Sequence, residues 1–91
     1  MKIISSTAFE RDLRRYLRKT HESGDEVSST LRMLSRDPFS AKLKTHRLKG
    51  PLKDYWACSG GYDLRIIFEF TKFEDEEIIL LHSLGSHDDV Y

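Results

Sequence analysis

The stretch GYDLRIIFEF, residues 61–70, decides how this chain is read. Leu64, Ile66, Phe68 and Phe70 occupy alternate positions, so an extended strand puts all four on one face. Asp63, Arg65, Ile67 and Glu69 then share the other face. One side makes a core and the other presents charge. The spacing predicts the central strand of a small α+β domain whose open face is a functional groove.

Working outward, Asp54 to Ser59 reads as a preceding strand, with Ser59-Gly60-Gly61 as the turn between the two. Lys72 to Glu76 is an acidic turn. Glu77 to Leu84 is a near-continuous apolar strand, expected to be buried on both sides. Toward the N-terminus, Asp37 to Pro51 is the least regular and most basic part. It carries Lys42, Lys44, Arg47 and Lys49 around His46, with Lys53 just beyond and a short extended piece at 46–48. Before it, Thr7 with Glu10 and Ser23 with Glu26 each have capping-box spacing, predicting two helix starts. Phe9, Leu13 and Leu17, with Tyr16 beside them, stripe the first helix. Val27, Leu31 and Leu34 stripe the second, which ends by Arg36 because Pro38 disfavours helix at Asp37. Met1 to Ile4 is a short apolar strand. The order is β-α-α-β-β-β-β, with the helical hairpin on one face of an antiparallel-rich sheet.

With 91 residues the chain is expected to form one domain, 1–91, with a thin core. Folding at this size removes only about 60–65% of the unfolded surface from water. No 18-residue apolar run and no signal-peptide core is present, and Cys58 is alone, so a cytoplasmic protein without an internal disulfide is expected. Net charge is zero but unevenly spread. Residues 1–53 hold 13 Lys/Arg against 6 Asp/Glu, and residues 54–91 hold 2 against 9. That asymmetry fits nucleic-acid contact by the basic half, or attraction between the halves.

Metal and nucleotide motifs are missing: there is no HExxH, CxxC, Walker loop or G-x-S-x-G elbow. What remains is His46, Asp63, Arg65, His87 and Tyr91 amid basic residues. Singly each has an ordinary structural reading, and Asp63 with Arg65 suits a plain ion pair. Together they suit cleavage of RNA by its own 2′-hydroxyl. That reaction needs a base, an acid for the departing 5′-oxygen, and cations for the phosphate oxygens. Imidazole titrates near neutrality, guanidinium forks onto phosphate, and an aromatic ring stacks on a base. No metal or other cofactor is required.

The segments THRLKG, DYWACSGGYDLRIIFEF and LLHSLGSHDDVY resemble those of RelE/ParE-type toxins of bacterial toxin–antitoxin pairs, most closely the YafQ-like branch. The tail G-[ST]-H-x-x-[VL]-[YF] is the most specific piece. The resemblance spans the chain and implies a RelE-like fold and a ribosome-dependent mRNA interferase. Such a toxin cuts the codon in the A site of the ribosome, against 16S rRNA, and is silenced by a cognate antitoxin. It implies that His46 and Asp63 are active-site residues, that Arg65 meets the scissile phosphate, that His87 is the general acid and that Tyr91 orients the nucleotide. Lys42, Lys44, Arg47, Lys49 and Lys53 are then expected on the RNA backbone. Trp56 either stacks on a base or packs the sheet.

The chain departs from the family pattern in having Ser59 where YafQ-like members carry a further histidine. It also has Trp56 and Cys58 where RelE-type members carry lysines. His21, His82 and Cys58 are expected to be structural. A ParE-like gyrase inhibitor and a catalytically degenerate RNA-binding relative are the competing implications.

Overall fold

The computed structural model describes residues 1–20 and 24–87. Five strands form one mixed sheet in the order β1-β5-β4-β3-β2. They are β1 (Lys2–Ser5), β2 (His46–Arg47), β3 (Trp56–Gly60), β4 (Leu64–Phe73) and β5 (Glu76–Ser86). Helices α1 (Thr7–Thr20) and α2 (Asp25–Arg36) fall between β1 and β2 in the chain. β1 runs parallel to β5, and the remaining pairs are antiparallel. The α+β class, the element order and the central place of β4 are as the sequence predicts.

Alternation on β4 builds the core. Leu64, Ile66 and Phe68 are fully buried and, with Phe70, face the helices. Phe9 and Tyr16 of α1, and Val27 and Leu34 of α2, close over them. Each of those buried aliphatic and aromatic side chains contributes about 1.5–3 kcal/mol relative to exposure. Cys58 lies in the same layer, fully buried, as a small apolar side chain.

The helix starts differ from expectation. The α1 cap is Ser6, whose Oγ accepts the Phe9 backbone N–H at 3.0 Å, one residue before the predicted Thr7. The same hydroxyl donates to the His82 carbonyl, so a strand contact fixes which residue caps. α2 has Gly24, φ 95°, as its N-cap, with no side-chain cap. Ser23 lies outside the described residues, and Glu26 instead accepts a hydrogen bond from the Tyr16 hydroxyl.

Strand ends also move. The β3–β4 loop is Gly61-Tyr62-Asp63, since Gly60 still pairs with Leu64. Gly60 has no room for a Cβ, which would strike the Thr30 side chain of α2, and Gly61 turns the chain at φ 70°. β5 continues to Ser86, through Gly85, and it is not buried throughout. Ile67 pairs with Ser83 but Phe68 with Leu81, leaving His82 as the extra residue of a bulge and exposed.

Candidate functional site

The face of the sheet turned away from the helices carries the site. Cys58 and Ile66 point into the core, so their neighbours Ser59 and Arg65, which pair with each other, point out. His46 pairs with Ala57 and falls on the same outer face. Two adjoining hollows, each of about 400 Å³, lie there and share Arg65 and His87. Lys44, His46 and Ser59 line one, and Tyr62 and Asp63 the other. Volumes of this order fall in the range of ligand sites.

Local structure aims each group. Lys44 takes a left-handed conformation, φ 52°, closing the turn at Ala41–Leu43 and starting β2. Its carbonyl lies 3.0 Å from His46 Nδ1. A carbonyl can only accept, so Nδ1 carries the proton and, in neutral imidazole, the lone pair is on Nε2. Arg65 folds back over its hairpin, with Nη1 donating to the Leu64 carbonyl at 2.9 Å and the Tyr62 carbonyl at 3.3 Å. These bonds fix the guanidinium plane at the groove.

Asp63 makes no ion pair with Arg65. Its Oδ1 accepts the backbone N–H of His87 at 3.1 Å. The acid therefore ties the end of β5 to the β3–β4 loop, and so sets where His87 stands.

Of the expected site residues, folding gathers His46, Asp63, Arg65 and His87, with Lys44, around one groove. Tyr91 lies outside the described residues. Lys42 is exposed beside Ser59 and Gly60, near the groove's edge. Lys49 and Lys53 are exposed on the loop at the opposite end of the β2–β3 pair.

Trp56 and Arg47 do not reach the groove. Trp56 pairs with Phe68 and so faces the helix side, edge-on to Phe39 at 5.4 Å and Phe70 at 5.6 Å. The parity of the strand puts this ring in the packing of the helix-side face, outside the groove. Arg47 follows it, its guanidinium 5.8 Å from the Trp56 ring centre and its Nε donating to the Lys53 carbonyl. Sequence reading missed Tyr62, which is 96% exposed at the groove's lip; a turn aromatic gives no periodic signal. Among the described residues no cluster of three His, Cys, Asp or Glu is set to hold a metal ion.

Comparison with known proteins agrees with the fold. YafQ from E. coli strain BL21(DE3) superposes with a TM-score of 0.79 at 20% identity, covering 99% of this chain and 97% of that one. The YafQ chain of the E. coli DinJ–YafQ complex gives 0.76 at 20% identity, with 99% and 97% covered. A metal-bound toxin from Helicobacter pylori gives 0.75 at 30% identity, covering 100% and 99%. No curated protein matches the chain. The profile of the family described as "Bacterial toxin of type II toxin-antitoxin system, YafQ" matches residues 1–91. The chain belongs to that YafQ family of toxins.

Proposed function

We propose that this toxin is a ribosome-dependent mRNA endonuclease that cuts in the A site, with His46, Arg65 and His87 doing the chemistry. One observation carries the reading: residues remote in sequence line one outward groove that also holds Lys44. In the proposed reaction, His46 Nε2 takes the proton of a ribose 2′-hydroxyl. The O2′–P bond forms as the P–O5′ bond breaks, and His87 gives its proton to O5′. The products are a 2′,3′-cyclic phosphate and a 5′-hydroxyl. Arg65 and Lys44 neutralise charge on the phosphate oxygens, and Asp63 holds His87 in place. Tyr91 is assigned to orienting the nucleotide.

The acid, base and cations are all side chains, so the reaction as drawn needs no metal, and cleavage should persist in a chelator. Lys42, Lys49 and Lys53 extend the cationic surface toward ribosomal RNA. The cell's means of silencing such a toxin would be a cognate antitoxin, as DinJ pairs with YafQ in the E. coli complex. No described helix is long and apolar enough to cross a membrane, which fits a site of action on cytoplasmic ribosomes.

The test is primer extension on mRNA from an in vitro translation reaction. Positioned acid–base groups contribute roughly 10²–10⁴-fold and charge-stabilising donors about 10²–10³-fold. His87→Ala and Arg65→Ala should each lower cleavage by at least about 10²-fold while leaving thermal stability near wild type. Undiminished cleavage in both variants, or gyrase inhibition without any mRNA cut, would sink the reading.

A further inference from the structure

Ile67 presents a puzzle: it sits on the outer face of β4, away from the helices, yet it is only 5% exposed. Tyr55 and His82 account for it. Tyr55 precedes β3 with the outward parity of Ala57 and Ser59, and His82 is the bulged residue of β5, the strand on the other side of β4. Their rings stack with centroids 4.6 Å apart and planes 21° from parallel. Side chains from the two flanking strands meet above β4, so the pair lies over its Ile67–Glu69 stretch and covers the outer side of Ile67 from there. The bulge makes this arrangement. It adds a residue to β5 between Ser83 and Leu81 and turns an imidazole outward from an otherwise apolar segment.

Resting on the nuclease reading, we infer that the Tyr55–His82 pair is a stacking platform for the base next to the cleaved bond. Arg65 and Ile67 are successive outward residues of β4, about 7 Å apart along the strand. That is the reach of one extended nucleotide. With the scissile phosphate on Arg65, the neighbouring base comes to lie over the roof of Ile67. His82 is exposed, so the pair offers a flat π-surface already held in register by its own stack. Stacking of this kind tolerates any base, because every base has a π-face. Glu69, the next outward residue, bounds the track: its carboxylate repels phosphate and keeps the backbone on the Arg65 side. His82 and Tyr55 are thus positioning residues for RNA and take no part in proton transfer.

The test uses the full chain and a short RNA whose scissile ribose is 2′-O-methylated and whose adjacent base is 2-aminopurine. Wild type and His82→Phe should quench the probe on binding. His82→Leu, still folded by circular dichroism, should leave it bright and bind about tenfold more weakly. His82→Gln serves the same purpose should leucine compromise the fold. On ribosome-bound mRNA the leucine variant should raise KM about tenfold and leave kcat within about twofold, the reverse of His87→Ala. A probe that wild type leaves bright, or quenching that survives in His82→Leu and His82→Gln, where no ring remains, overturns the platform. His82-dependent quenching by a protein that cuts no mRNA would keep the platform and remove the nuclease.

Discussion

One hydrogen bond separates two roles that the proposed site allows Asp63. As a proton carrier it would lose function on conversion to asparagine. As the acceptor of the His87 N–H it keeps that function, because an amide oxygen accepts equally well in kind. Asp63→Asn is therefore expected to retain cleavage within about tenfold, and Asp63→Ala to lose about 10²-fold, since the acid His87 is then unplaced. Primer extension on the two variants side by side decides it; equal loss in both would make Asp63 a proton-transfer group. Cys58 carries a proton that the fold holds. Burial among apolar side chains pushes its thiol from the usual 9.0 up to about 12. The folded state thus holds this proton where the unfolded chain releases it, and stability falls as pH rises from about 9 toward 12. The slope is at most about 1.4 kcal/mol per pH unit. Urea titrations at pH 8 and 10.5 should show this extra loss in wild type and not in Cys58→Ala.

At the scale of elements, the β4–β5 hairpin turns on Glu74 and Asp75 alone, because Phe73 pairs with Glu76. Both turn residues have positive φ, 51° and 66°, the type I′ geometry that suits the twist of a two-residue hairpin. Left-handed backbone costs an L-residue roughly 1 kcal/mol, least for Asn and none for Gly. Replacing the pair by Asn-Gly (Glu74→Asn with Asp75→Gly) should raise the melting temperature by about 4–8 °C per kcal/mol gained. A melting curve with no upward shift would show that the loss of chain entropy at glycine offsets the relief.

This hairpin also marks where sequence reading stops. Alternation fixed β4 and its two faces, because a period of two over Leu64–Phe70 has one solution. That His46, Arg65 and His87 line one groove agrees with the grouping that the family resemblance implied. The face of Trp56 was not legible, since it depends on register with Phe68 and not on its own neighbours. The Ser6 cap and the His82 bulge were hidden for the same reason. The cap is settled by the contact of Ser6 with the His82 carbonyl, and the bulge by the register of β5 on β4.

For the molecule as a whole, the fold sets one cluster of cations far from one cluster of acids. Lys42, Lys44, His46 and Arg65 collect at the end of the sheet where β3 finishes and β4 begins. Glu74, Asp75, Glu76 and Glu77 lie at the far tip of the β4–β5 hairpin, all exposed. β4 spans roughly 33 Å between these poles, several Debye lengths at physiological salt. A neutral protein can therefore bind RNA at one end without its own acids screening the contact. Each cation that meets a phosphate of single-stranded RNA adds about 0.7 to the slope of log K against log salt. Lys44→Ala is thus expected to lower that slope by about 0.7 for a short mRNA oligonucleotide, and Lys72→Ala, toward the acidic tip, to leave it unchanged. Lys49→Ala and Lys53→Ala sit beyond the groove, so they should leave the oligonucleotide slope alone and lower only the slope for binding to whole ribosomes. Titrations of all four variants between 50 and 200 mM salt would read this directly. A slope that falls equally for Lys44→Ala and Lys72→Ala would mean that the field of the whole protein, and not the polarised groove, draws in the RNA.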